Sequence, residues 1–160
     1  ALISAAKVLT EATEVGEVWR RTVTLAEEAL TADAYAAWRV DADGRWFVGQ
    51  ARGVSEAFAA RTVTSAPDSD RGRTLLQKPL YFDDVTQSTF GIMQEAYRAE
   101  GIRSMAVFPL VLQGVPRGTL VLYYRHPRTL SDQERQTGEA LASLASAALG
   151  AVESYEAHRA

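Results

Sequence analysis

An α+β domain organised around a mostly antiparallel sheet is the fold class this chain predicts, on three observations. First, GIRSMAVFPLVLQGVPRGTLVLYY (101–124) holds two apolar runs with a turn between them. Neither Met105–Leu112 nor Thr119–Tyr124 alternates apolar with polar residues as a strand with one wet face does, so both faces of this strand pair are expected to be covered. Second, DAYAAWRV and RWFVGQ flank the stretch DADG, whose Asp-Gly step is hairpin chemistry. Third, helical periodicity occupies both ends of the chain. Hairpins and adjacent strands dominate, which makes the sheet antiparallel.

The elements follow in order. Residues 2–12 have apolar positions at helical spacing and neither Pro nor Gly. Thr13 offers an N-cap for a second stretch in which Val15, Val18, Trp19, Thr22, Leu25, Ala26 and Ala29 form one stripe. The pattern fits two helices, or one kinked near Gly16. After the first hairpin, residues 53–67 are open between a short strand and a turn of helix across Phe58–Val63. DSDRGRTLLQ reads as a short helix capped by Asp68 or Ser69, and KPLYF as a strand entered at its proline, where the missing N–H costs least. DDVTQS is loop. TFGIMQEAYRAEG carries Ile92, Met93, Ala96 and Tyr97 at helical spacing and stops at Gly101, a suitable residue just past a helix end. In the second hairpin Pro109 implies a bulge or an edge position. SDQE (131–134) is a capping box that launches a helix with Leu141, Leu144, Ala148, Val152 and Tyr155 near heptad spacing. The terminal helices are expected to share one face of the sheet. No repeat, low-complexity tract or linker interrupts the chain, so 1–160 reads as one domain, with 1–14 and 150–160 as flanking helical segments.

Composition excludes several functions. A net charge of −3 lacks the basic footprint of a general nucleic-acid binder, and the 17 Lys and Arg form no polybasic run for a membrane surface. No apolar stretch approaches the ~20 residues that span a bilayer, and no signal peptide is visible. With no cysteine there is no disulfide, thiolate nucleophile, Cys-ligated zinc or thioether-linked chromophore within this sequence. Beginning in Ala-Leu-Ile rather than Met, the sequence reads as a piece excised from something longer.

GRTLLQKPLYFDDV (72–85), GIRSMAVFPLVLQGVPRGTLVLYY (101–124) and LSDQE (130–134) together resemble the GAF domain family in their order: a small-residue helix, a strand entered at Pro and left at Asp, a Gly- and Pro-punctuated hairpin, then a capped helix. The resemblance runs from about Val15 to Val152. It implies a GAF-like central antiparallel sheet with the terminal helices on one face, and on the other a small-molecule pocket under lid segments at about 53–100. It also implies a sensory module that precedes output domains such as histidine kinases, cyclases or transcription activators and dimerises through flanking helices. The implied pocket lining is Tyr35, Phe58, Arg73, Phe82, Asp83, Phe90, Met93, Tyr97, Met105 and Tyr123.

The residues themselves carry little catalysis. His126 lies in a loop and His158 near the C-terminus, both reading as solvated imidazoles, and neither stands where haem-binding relatives place a histidine. No nucleophile elbow or triad context exists. Asp83-Asp84 allows two readings, a ligand hydrogen bond at the pocket mouth or a cap on the following turn. The cap comes first, because neighbouring side chains on a strand-like segment face opposite ways and clasp a metal poorly. Arg71, Arg73 and Arg103 either meet an anionic ligand or are solvated charges. Phe58, Phe82, Phe90, Met93 and Tyr97 serve equally as core or as pocket wall. Bilin attachment and free methionine sulfoxide reduction, as other branches of the family perform them, need cysteines. The Asn-Lys…Phe…Asp-Glu signature of the cyclic-nucleotide branch is absent from YYRHPRTLSDQER.

The sequence therefore predicts a cytoplasmic, non-enzymatic regulatory module of a bacterial signalling protein, with a sensor histidine kinase as the expected parent and a downstream output domain in the same chain. It would bind an unidentified small molecule, with no covalent bilin and no haem, and contact neither nucleic acid nor membrane. The alternatives are a structural dimerisation module whose own aromatics fill its pocket, and the effector domain of a transcription activator. A homodimer is expected because a helix from Ser131 to Tyr155 spans roughly 37 Å at 1.5 Å per residue, whereas a six-residue strand covers only ~20 Å. The overhang needs an apolar partner. Leu2, Ala5, Leu9 and Ala12 provide one, in the same chain or in a second copy.

Overall fold

Two antiparallel hairpins form the middle of the sheet. In the computed structural model, which describes residues 2–41, 43–63, 77–87 and 94–159, β1 (Ala34–Val40) pairs with β2 (Trp46–Arg52), and β5 (Ser104–Leu112) pairs with β6 (Val115–Tyr124). β1 also pairs with β6, from Ala34 opposite Tyr123 to Arg39 opposite Gly118, which fuses the hairpins. Short strands extend both sides: β3 (Thr62–Val63) beside β2 and β4 (Leu80–Phe82) beside β5. The order is β3-β2-β1-β6-β5-β4 and every pairing is antiparallel. The helices are α1 (Leu2–Thr10), α2 (Val15–Ala29), α3 (Glu56–Ala59), α4 (Gln94–Glu100) and α5 (Asp132–Arg159), with a 3-10 turn at Val85–Gln87. None of the described helices is long and apolar enough to cross a membrane.

Local chemistry explains most boundaries. α1 and α2 are separate helices, and the break falls at residues 11–14, with Gly16 already inside α2. Thr13 is not the side-chain cap expected of it. The N-cap position is Glu14, which makes no capping bond, while the Thr13 hydroxyl donates to Glu17 Oε1 at 3.1 Å. The other Glu17 oxygen accepts from Arg21 Nη2 at 2.9 Å. Residues 53–63 form both of the structures left open, a helical turn and then a two-residue strand. α4 ends at Gly101, whose φ of +74° lets Ile102 N–H reach back to the Tyr97 carbonyl at 2.9 Å. Pro109 sits on β5 beyond the end of β4, which pairs only with Met105–Val107, and next to a register shift at Leu110/Val111. It is thus at a local edge and beside a bulge. The capping box of α5 is made in both directions: Glu134 N–H to Ser131 Oγ at 3.1 Å, and Ser131 N–H to Glu134 Oε1 at 2.9 Å.

The non-alternating strands do serve two cores. Ala106, Phe108, Leu110, Leu120, Leu122 and Tyr124 turn toward α1, α2 and α5, together with Val18, Trp19, Val23, Leu141, Ala145 and Leu149. Met105, Val107, Val121 and Tyr123 turn the other way, into a second buried cluster. The overhanging end of α5 is met inside the chain. Ala5, Leu9 and Ala12 share the helix-side core with Ala148 and Val152. The heptad stripe foreseen on α5 therefore divides: Leu141, Ala148 and Val152 are buried, Leu144 is half-buried, and Tyr155 is 56% exposed.

Candidate functional site

The second cluster lies where a lid would close over the sheet. Strand periodicity of two selects its floor: Ala34, Ala36 and Trp38 from β1, Val121 and Tyr123 from β6, and Met105 and Val107 from β5. Short elements roof it. Ser55 caps α3 by accepting from Phe58 N–H at 3.1 Å, and that turn delivers the Phe58 ring, 3% exposed, to the centre. α4 delivers Tyr97, and the 3-10 turn delivers Val85. Ring centroids lie 6.2 Å from Phe58 to Trp38, 5.5 Å to Tyr123 and 6.4 Å to Tyr97; the first two are edge-on, a favoured aromatic geometry.

A polar pair is sealed within this apolar box. Trp38 Nε1–H donates to Tyr123 Oη at 2.8 Å. Burial raises both the Tyr123 and the Tyr97 phenol well above the ordinary tyrosine range, and Tyr97 adds an electrostatic contribution to the shift at Tyr123. Both phenols therefore stay neutral O–H donors at any physiological pH.

Polar contacts fix the rim. The Glu100 carboxylate at the end of α4 accepts from Ser55 N–H at 2.9 Å and, closely, from the Ser55 hydroxyl. Arg125 Nη2 donates to the Gly53 carbonyl at 3.1 Å and stands 3.8 Å from Glu100 Oε2. On the opposite side Asp84 Oδ1 accepts from Thr86 N–H at 3.0 Å and from the Thr86 hydroxyl at 2.7 Å, and Oδ2 meets Arg103 Nη2 at 3.3 Å. Those bonds, the Thr86 hydroxyl first, hold the Asp84 carboxyl below its usual range. Asp84 is thus the cap of the Val85–Gln87 turn.

Of the lining residues expected from sequence, Phe58, Tyr97, Met105 and Tyr123 come together here, with Phe82 half-buried against them. Tyr35 does not. It lies between Ala34 and Ala36 on β1 and so faces the helices, where its hydroxyl donates to the Leu30 carbonyl at 2.5 Å and accepts from Ala32 N–H at 3.0 Å. Asp83 is exposed outside the cluster, and its carbonyl accepts from Arg128 N–H at 3.1 Å. Arg73, Phe90 and Met93, like Arg71 and the Asp68/Ser69 cap, lie outside the described residues. Trp38, Val85, Ile102, Val107 and Val121 belong to the cluster and were not foreseen. For Trp38 the signal existed, since it shares strand parity with Ala34 and Ala36. His126 is solvent-facing, its Nδ1 3.7 Å from Asp33 Oδ2. Among the described residues no group of His, Asp or Glu could hold a metal ion.

Among the described residues the lid face is packed by Phe58 and its neighbours, whereas two open clefts lie on the helix side. One, about 360 Å³, runs between α1 and α5 along Leu9, Ala12, Leu144, Ala151 and Tyr155. The other, about 370 Å³, lies between α5 and the β4–β5 edge along Gln77, Pro109, Glu139 and Ser143.

This architecture has relatives. The profile of the GAF domain family matches residues 12–150. The chain belongs to the GAF family. Its fold also matches solved GAF structures. One is a domain assigned to a two-component sensor histidine kinase of Sinorhizobium meliloti 1021, at a TM-score of 0.75 and 22% identity over 92% of this chain and 99% of that one. Another is the chromophore-binding domain of the bacteriophytochrome RpBphP3 from R. palustris, at 0.81 and 13% identity over 96% of this chain and 61% of that one. The PixJ GAF domain of Thermosynechococcus elongatus matches at 0.78 and 17% identity over 90% of this chain and 89% of its own. No curated protein matches. These likenesses identify a GAF sensory domain and its fold, and GAF domains are generally sensory, non-catalytic modules.

Proposed function

We propose that this GAF domain is the ligand-binding regulatory module of a bacterial signalling protein, with a sensor histidine kinase as parent. It acts without catalysis of its own, in the cytoplasm, and signals to a downstream output domain through its terminal helices. The observation that carries the reading is the second buried cluster, separated by the sheet from the helix-side core and roofed, among the described residues, by the four residues of α3, the seven of α4 and a 3-10 turn. Short elements tied down by a few rim bonds open at lower cost than long packed helices. The sheet then lies between ligand and helices, so a change at the lid reaches α5 through strands whose residues alternate between the two cores. The near-complete mutual coverage with the histidine kinase domain favours that parent. Native mass spectrometry of the purified domain, followed by thermal-shift screening against metabolite mixtures, tests the reading. Co-purifying mass or a saturable shift is expected, and neither appearing would remove it.

A second reading, a structural module without ligand, is favoured by one observation, the 3% exposure of Phe58 at the centre of the lid face. Both readings include a homodimer. Pairing across the α1–α5 cleft would cover Leu144 and Tyr155, and sedimentation at micromolar concentration decides it. A Leu144→Glu variant should dissociate, and a wild-type monomer throughout that range would end the dimer reading.

A further inference from the structure

We propose that Arg125 is a latch that ties the lid to the α2–β1 loop (residues 30–33). Releasing the Ser55–Glu100 contact then loosens that loop together with α3 and α4. The coupling is a property of the folded chain, and its use as a signal route rests on the ligand-binding reading above. Three observations carry it.

The first is convergence. Four segment ends meet at one corner of the domain: Asp33 before β1, Gly53 after β2, Glu100 at the end of α4 and Arg125 after β6. Gly53 makes the close approach possible. Its φ is +81°, and a Cβ there would stand 2.8 Å from the Asp33 carbonyl oxygen. The second is the bonding of Arg125, which reaches the other three ends. Its side chain donates to the Glu100 carbonyl at 3.3 Å and to the Gly53 carbonyl at 3.1 Å, and Nη2 stands 3.8 Å from Glu100 Oε2. Its backbone N–H donates to Asp33 Oδ2 at 2.7 Å. The Glu100 carboxylate also accepts from both the N–H and the hydroxyl of Ser55, the cap of the turn bearing Phe58. The Glu100 side chain is 10% exposed, so these charge-assisted bonds are only weakly screened. A continuous set of contacts therefore runs from Phe58 through Ser55, Glu100 and Arg125 to Asp33.

The third observation is where that set ends, in a loop gripped from two sides. Residues of the helix-side core hold its first carbonyls: Tyr35 Oη donates to Leu30 at 2.5 Å and Tyr124 Oη to Thr31 at 2.9 Å. Arg125 holds Asp33 from the lid corner. Because α2 ends at Ala29, a shift at Asp33 is passed directly to the end of that helix. Coupling between sites is carried by contiguous contacts of this kind when they join elements that move as units. The competing account is that Tyr35 and Tyr124 hold the loop by themselves, in which case the lid opens alone.

Amide hydrogen exchange, followed by nuclear magnetic resonance on the whole ligand-free chain, reads each segment separately. Three bonded amides report: Ala59 N–H to the Ser55 carbonyl, Ile102 N–H to the Tyr97 carbonyl, and Asp33 N–H to the Tyr123 carbonyl. Glu100→Gln keeps the shape and removes the charge. It should speed exchange about ten-fold at Ala59 and Ile102 and about three-fold at Asp33, with Leu149 of α5 unchanged. Arg125→Met cuts the tie and leaves the Ser55–Glu100 contact in place. Adding Glu100→Gln to it should still speed Ala59 and add nothing at Asp33. Ser55→Ala, a milder cut in the same contact, gives the same ordering and decides the matter if Glu100→Gln does not fold. The latch is overturned if the lid amides keep their wild-type rates, or if they speed up while Asp33 does not. It is equally overturned if Asp33 responds the same with and without the Arg125 side chain, or if Leu149 speeds up as much as the lid. A ligand found for a chain that fails these tests would discard the latch and keep the ligand-binding reading. Coupled exchange in a chain that binds nothing would keep the latch and discard that reading.

Discussion

The two faces of the sheet bury similar kinds of surface with different means. On the helix face the cover is long and continuous: α2 of 15 residues and α5 of 28, packed through aliphatic side chains and small residues that let the backbones approach. Phe108 shows the fit, fully buried with its ring in the notch at Gly138 of α5, where a Cβ would collide with it. On the lid face the described cover is short, the rings of Trp38, Trp46, Phe58, Tyr97 and Tyr123 sit among aliphatic side chains, and position is set by rim contacts such as Ser55–Glu100 and Asp84–Thr86. Dense packing over long elements gives cooperative stability, whereas a few polar ties over short ones leave a surface that can open. The helix face has the long, densely packed cover, and the lid face the short, polar-tied one.

The sharpest way to break that contrast is to truncate one large ring on each side. Phe108→Ala should cost about 3–5 kcal/mol, read from the denaturant midpoint, and leave ligand-induced thermal shifts unchanged. Tyr97→Ala should cost less, about 2 kcal/mol, because the seven-residue α4 can settle into the space, and should alter those shifts more than basal stability. Equal losses, with no ligand effect from Tyr97, would make the lid face ordinary core. Gly138→Ala comes next. Helix propensity alone would stabilise by ~1 kcal/mol, but forcing a methyl against Phe108 costs about 1–3 kcal/mol, so a net loss is expected in the same assay. A gain would mean that the helix face is more yielding than its packing implies. Ser131→Ala, which removes half of the capping box, should cost about 1 kcal/mol by the same measurement.

Alkaline pH probes both faces at once. Burial raises the phenols of Tyr97 and Tyr123 on the lid side, and that of Tyr124 on the helix side to about 12. A folded-state value above the unfolded one keeps its full stabilisation below the unfolded value, near 10, and loses it as pH rises toward the folded one. Stability should accordingly be flat up to about pH 10 and fall above it, while tyrosinate absorbance lags behind that of the unfolded chain. Folded-state titration centred near pH 10 for these residues would show that water already reaches both cores.

Much of the architecture was legible in the residues because its signals are local. The Asp-Gly turn, the Gly101 stop and the Ser131–Glu134 box each act over four or five residues, and each stands where the sequence puts it. The site was only half legible. Parity along β6 and β5 places Tyr123 and Met105 on the lid face, and the same parity, counted along β1, exposes the error at Tyr35 and the omission of Trp38. Asp83 and Asp84 could not be told apart by adjacency, and the Thr86 hydrogen bonds distinguish them.

By itself, then, the sequence determined the α+β class, both hairpins, the capped final helix and the GAF resemblance, since periodicity and turn chemistry are properties of neighbours along the chain. Only the tertiary structure decided that α1 meets the overhang of α5 in its own chain, that Phe58 sits at the centre of the lid face, and that Ser55 is bound to Glu100. Those contacts join residues far apart in sequence, Ser55 and Glu100 by 45 positions, and no local preference encodes such a distance. They arise when the sheet fixes where each short element must lie.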